Sequence, residues 1–210
     1  MNIETWITFV VATLVLTMTP GPSILLGVVH SMKYGTKKTV ITAIGDITAN
    51  FMQMTLVAIG LGVIIASSEA AFLIIKWFGV VALLYMGLKM FFGNPVSIES
   101  SSDQPHVSNY KLFFSGFFVA AGNPKAIVFF TAFFPQFINP SQSLFQQMAI
   151  MAPTMAVLDF VMVMVYALSA KKFLGFIRKH PMRLNRAGGG ALVLASIFLA
   201  FSNRSSNASV

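Results

Sequence analysis

Thr17-Met18-Thr19-Pro20-Gly21-Pro22-Ser23-Ile24-Leu25 sits in the middle of an apolar run that extends from Trp6 to His30. The run is long enough to cross a bilayer, whose hydrocarbon core of about 30 Å takes about 20 helical residues. Pro20 and Pro22 each lack an N–H and clash with the carbonyl four residues back. Each also turns the residue before it, Thr19 or Gly21, away from helical geometry. A helix is therefore predicted to stop near Met18 and to restart with Pro22 at its first position, where proline is tolerated. At membrane depth a broken helix persists only where the freed backbone groups are buried in protein or line a wet cavity. Such breaks mark the binding sites of secondary transporters.

The composition agrees with that reading. Apolar residues make up 56% of the chain and charged residues 10%. The expected class is an all-α polytopic membrane protein forming one domain over residues 1–210. Six spans are expected, at roughly 6–30, 40–65, 72–92, 112–134, 145–170 and 184–202. With no cysteine, disulfides, thiolate metal sites and cysteine nucleophiles are excluded. His30, His106 and His180 fall at run edges or in loops and give no metal-ligand spacing. No metal and no cofactor are expected. Met1-Asn2-Ile3-Glu4 lacks the basic start of a signal peptide, so the first apolar segment is expected to stay in the mature protein.

The formal charge of +8 does not point to nucleic acid, because the basic residues gather in short loops. Lys33, Lys37 and Lys38 fall between spans one and two. Lys89 and Lys111 flank the third connection, and Lys171, Lys172, Arg178, Lys179, Arg183 and Arg186 fall in the fifth. The connections between them are nearly bare, with Lys76 and Arg204 on that side. By the positive-inside rule, loops one, three and five are cytoplasmic and both termini face outside.

The halves resemble repeats, one about 1–92 and the other about 112–210, joined by a polar linker at about 93–111. Pro20-Gly21-Pro22 breaks span one, and Gly122-Asn123-Pro124-Lys125 breaks span four. Asp46 lies in span two and Asp159 in span five. The spacings are similar but not constant, and Phe134 to Pro140 is a plausible insertion. Three spans per half is odd, which inverts the second repeat relative to the first.

Asn123 suits an N-cap and Pro124 the first helical position. Lys125 then lies in a first turn, the wrong end of that helix's dipole for a cation. A lysine near the bilayer centre costs about 2.5–3.5 kcal/mol on insertion scales, so an anionic partner is expected, a carboxylate or a bound substrate. Spacing does not say whether Asp46 or Asp159 supplies it. Thr42, Asp46, Asn50 and Gln53 share one face of span two. Gly45 and Ala49 beside them let another backbone come close. Intramembrane acids are expensive and functional by default, which makes Asp46 and Asp159 candidates for proton coupling. Tyr166 is placed to bond along the Asp159 face. The methionines of span five are read as apolar packing rather than soft-metal ligands, and the Phe-rich runs as lipid or helix contacts.

These features together resemble the LysE/RhtB amino-acid exporter family. The matching residues are Thr19-Pro20-Gly21-Pro22, Gly45-Asp46, Gly79 with Tyr85-Met86-Gly87, Gly122-Asn123-Pro124-Lys125-Ala126 and Phe134-Pro135-Gln136-Phe137. The resemblance covers nearly the whole chain. It implies a multi-pass inner-membrane exporter of amino acids or close derivatives, driven by a proton gradient, with Asp46 and the Pro20–Pro22 segment essential. A substrate carboxylate is expected at the free N–H groups of Ser23 and its neighbours, with Lys125. Its ammonium is expected to face Asp46, Asn50 and Gln53. The expected substrate-binding set is thus Pro20, Gly21, Pro22, Ser23, Asn50, Gln53, Asn123, Pro124 and Lys125. The expected partners are a small-molecule amino acid, membrane lipid and, as an open option, further copies of the chain. A channel-like pore and an intramembrane aspartyl enzyme are the alternatives.

Overall fold

The computed structural model of the chain describes residues 1–67, 69–93, 107–170, 172, 175 and 181–201. All regular structure among them is helical. Most of the linker, most of the fifth connection, and His106, His180 and Arg204 lie outside the described residues.

Helix α1 spans Ile3–Met18 and α2 spans Pro22–Tyr34, with Pro22 in the first turn of α2. The two are bent by 56° at the break, as the proline constraints require. The second pair is α5, Asn109–Ala121, and α6, Pro124–Val128. A π-helical turn, Phe129–Phe133, and a 3₁₀ turn, Phe134–Phe137, prolong α6, and the pair is bent by 53°. Between and after these pairs come α3, Thr36–Ser67, and α4, Glu69–Phe92. The last two are α7, Leu144–Leu168, and α8, Pro181–Phe201.

Three stretches are long and apolar enough to span a membrane alone: Thr36–Gly60, Leu73–Phe92 and Leu144–Leu168. Counting each bent pair as one span gives up to five, and the apolar stretch Asn185–Phe201 is shorter. Six full spans are thus not reached by length and composition. The first basic loop contracts to a single residue. Gly35, at φ +84, alone separates α2 from α3, and the left-handed region it occupies suits glycine. Lys33, Lys37 and Lys38 therefore sit on helix ends. Lys76 is buried within α4 rather than solvated.

The core forms around the α6 segment. Phe129, Phe130, Phe133, Phe134 and Phe137 are buried with Phe9 of α1, Met54 of α3, Val80 and Leu83 of α4, Met151 and Met155 of α7, and Leu192 and Leu199 of α8. These phenylalanines are core rather than lipid contacts. Phe118 of α5, 65% exposed, keeps the outward position expected of its run. Irregular backbone in α6 is thereby enclosed by protein, the condition for its survival at membrane depth.

Glycines fix the remaining contacts. A Cβ on Gly45 of α3 would collide with the Phe113 carbonyl of α5, and one on Gly116 of α5 with the Thr42 carbonyl of α3. The two backbones touch reciprocally beside Asp46. Gly87 of α4 and Gly189 of α8 form a second such crossing. Gly116→Ala is expected to destabilise the protein by about 1–3 kcal/mol or more, because a methyl group is forced onto backbone. Gly60→Ala, where a Cβ would meet nothing within 4 Å, should cost nothing. Melting temperatures of the two variants in the same detergent check this.

Candidate functional site

The two breaks meet. Asn123 caps α6, its Oδ1 accepting from the Lys125 backbone N–H at 3.1 Å. Its Nδ2 reaches across to Ser23 Oγ in the first turn of α2 at 3.4 Å. Around this junction lies a small cavity lined by Leu16, Thr17, Ser23, Ile24, Asp46, Asn50, Asn123, Lys125, Ala126, Met155 and Asp159. Its volume is about 20 Å³, room for about one water molecule. The conformation is therefore closed around the site, with no room for a zwitterion.

Asp46, Asn50 and Asp159 form the acidic wall. Asn50 Nδ2 donates to Asp46 Oδ2 at 3.1 Å and to Asp159 Oδ2 at 2.9 Å. One amide thus ties the acids of α3 and α7 together. All three residues are at least 95% buried. Asp46 Oδ1 and Asn50 Oδ1 have no hydrogen-bond donor. Two buried acceptors without donors are costly and define a place for N–H groups.

Lys125 departs from expectation. Its ammonium donates to the backbone carbonyls of Leu16 and Thr19, both at 2.6 Å, and its charge acts on Asp46 and Asp159 from there. The unpaired carbonyls at the end of α1 attract a cation, since the C-terminal end of a helix dipole is negative. The first turn of α6 is the wrong place for a lysine head, but its side chain delivers the charge to the right end of α1. Tyr166 also departs. Its hydroxyl donates to the Met18 carbonyl at 2.8 Å, so it closes the same helix end rather than bonding to Asp159. Gln53 donates to the Ala121 carbonyl at the end of α5 at 2.9 Å. It caps the other broken helix and does not line the cavity.

Of the residues expected to bind substrate, Ser23, Asn50, Asn123 and Lys125 line the cavity with Asp46 and Asp159. Pro20, Gly21, Pro22, Pro124 and Gln53 shape it from outside. A Cβ on Gly21 would stand 3.5 Å from the Lys125 Nζ, so this glycine leaves ordinary contact space beside the ammonium. The apolar lining of Leu16, Ile24, Ala126 and Met155 has no signal in the sequence beyond hydrophobicity. The two restarted helices differ as anion sites. Asn123 occupies the start of α6, whereas α2 begins at Gly21 with no side-chain cap. Only the α2 end leaves its first N–H groups without a side-chain acceptor.

The LysE type translocator family profile matches residues 14–203. The chain belongs to this family. Its translocators are transporters, not enzymes, and the aspartyl pair has no hydrolytic role to fill. The homoserine/homoserine lactone efflux protein of Salmonella typhimurium is 31% identical over 202 residues, 95% of this chain and 98% of that protein. The leucine efflux protein of Enterobacter sp. is 26% identical over 198 residues, 94% of this chain and 92% of that protein. No solved structure matches the chain.

Proposed function

We propose that this translocator exports amino acids or close derivatives across the inner membrane in exchange for protons, from a site at the two helix breaks. The observation that carries the proposal is the pairing, in one buried cavity, of unsatisfied acceptors on Asp46 and Asn50 with the uncapped start of α2. The acceptors suit an ammonium, and the free N–H groups of Ser23 and Ile24 suit a carboxylate. A zwitterion matches both. The efflux proteins of Salmonella and Enterobacter, named for homoserine and leucine, make those two amino acids the first substrates to test.

Proton coupling is assigned to Asp46 and Asp159. Protonating Asp46 removes the charge that holds the ammonium, and deprotonation on the other side restores it. The two halves are proposed to be inverted three-span repeats that rock about the site. Each half runs in the same order, a bent pair, a long helix and a closing helix. Helices α3 and α7 are joined at the site through Asn50, and α4 and α8 cross through glycines. In this scheme Asn123 positions Ser23, and Lys125 holds the end of α1.

The test is reconstitution into liposomes loaded with labelled homoserine or leucine. A pH gradient, acidic on the side that receives substrate, should drive saturable efflux with stoichiometric proton movement in the opposite direction. Flux that does not saturate would indicate a pore. No flux of either amino acid would reject the proposal.

A further inference from the structure

Because Gly35 alone joins α2 to α3, the end of α2 folds back along the start of α3. His30 of α2 thereby meets Thr42 of α3, with Nδ1 and Oγ1 2.7 Å apart. The imidazole is 9% exposed and the threonine 2%. Thr42 stands one turn before Asp46 on the same face of α3, and Asn50 follows one turn later. This sets His30, Thr42, Asp46 and Asn50 in a row that ends at Asp159. The outer end of the row lies near the α2–α3 junction, four residues before the end of α2.

We propose that His30 relays protons between the α2–α3 junction and the Asp46–Asp159 pair, with Thr42 as the intermediate hydroxyl. The inference rests on the proton-exchange mechanism proposed above. Imidazole has two nitrogens and takes up and releases protons near neutral pH. When it carries one proton, on Nδ1, that N–H donates to Thr42 Oγ1 and Nε2 is open to a proton; when it carries two, both nitrogens donate. A proton arriving at Nε2 therefore lets Nδ1–H pass its own proton to Thr42 Oγ1. The threonine in turn releases its hydroxyl proton toward Asp46. The row ends with a neutral imidazole, an unchanged hydroxyl and a protonated carboxyl. The remaining gap is about one helical turn, ~5.4 Å of rise, which a single water spans.

Other titratable groups lie on the helices about the imidazole. On its own helix are Lys33, whose charge acts on it, and Tyr34, whose ring meets it edge-on at 5.4 Å. From α3 come Thr42 and, one turn further in, Asp46. Helix α5 carries Tyr110 and Lys111, both exposed. Helix α7 carries Asp159, bonded to Asn50, and Tyr166, bonded to Met18. The established cavity does not include His30, and the substrate contacts proposed above do not use it.

The test compares two readouts in liposomes with labelled homoserine and leucine. Exchange of internal for external substrate needs no net proton movement, whereas gradient-driven efflux does. In His30→Gln the amide can keep a hydrogen bond to Thr42 but does not titrate. Exchange should stay near the wild-type rate, while gradient-driven efflux falls on the order of 100-fold, the scale of a lost proton-transfer group. Thr42→Val should show the same split, and Thr42→Ser should restore coupling. Wild-type coupling in His30→Gln would overturn the relay and leave His30 a packing residue. Equal loss of exchange and of driven efflux would also overturn it, since His30 would then serve the substrate cycle. If net efflux by the wild type moves no protons and does not respond to the pH gradient, the proton-exchange mechanism fails, and the relay with it.

Discussion

Asp46→Asn is expected to reduce pH-gradient-driven export to the background of empty liposomes, while the protein still inserts and folds. The substitution is nearly isosteric, and the amide oxygen can still accept from Asn50, which now bonds Asp46 Oδ2 at 3.1 Å. The packing of α3 on α5 beside it depends on Gly45 and Gly116, which are untouched. What disappears is a carboxyl that is 3% exposed and has one oxygen without any donor. Asp159 remains, but it sits on the other helix, where Asn50 binds it. Two acids joined by one amide titrate as a unit, so removing either member changes the unit. Asp46 is the member with the vacant oxygen, on the row that begins at Thr42. The checks are detergent-extracted yield and melting temperature, to establish folding, and a pH-sensitive dye inside the liposomes. Full gradient-driven export by Asp46→Asn would remove Asp46 from the coupling step.

The first break could be placed from sequence because proline acts locally. Pro20 and Pro22 constrain the residues on either side whatever the tertiary contacts, and α1 ends at Met18 as those constraints demand. The acidic face of α3 was equally accessible, since helical periodicity alone aligns Asp46 with Asn50. Gly45 was recognisable as a close-approach residue for the same reason. Its partner could not be named, because Gly116 comes from the other half of the chain. Long polar side chains were the obscure part. Lys125, Gln53 and Tyr166 each reach backbone carbonyls 68 to 148 residues away in sequence. Nothing in their spacing distinguishes a ligand-binding group from one that closes a helix end. His30 was obscured differently. Its position at the edge of an apolar run named no partner, and with only Gly35 between α2 and α3 the chain turns back at once. The contact with Thr42 spans just 12 residues, yet it depends on the direction of one turn.

Lys125→Ala is expected to lower transport of amino acids and of amines lacking the carboxylate to the same extent, and to lower the melting temperature markedly. A lysine reserved for the substrate carboxylate would predict selective loss. The geometry argues against that division. The ammonium spends two of its three donors on the Leu16 and Thr19 carbonyls at 2.6 Å, and the whole residue is 8% exposed. Truncation leaves buried carbonyls at the end of α1 without donors, at about 1–3 kcal/mol each. It also takes a positive charge away from Asp46 and Asp159. Breaking a buried charge arrangement from one side costs about 3–5 kcal/mol. A loss of that size exceeds what one substrate contact could produce selectively. The measurements are thermal unfolding in detergent and paired transport of homoserine and the amino alcohol that lacks its carboxylate. If the variant melts like the wild type and loses only the amino acid, Lys125 belongs to the substrate and the end of α1 needs another donor. The cavity has room for about one water, so in the proposed mechanism cargo enters only when α1, α2 and α6 separate. Lys125 bonds across that seam, from the start of α6 to the end of α1. Its bonds must therefore loosen each time the site opens, which makes the lysine part of the closing contact whether or not it ever touches the cargo.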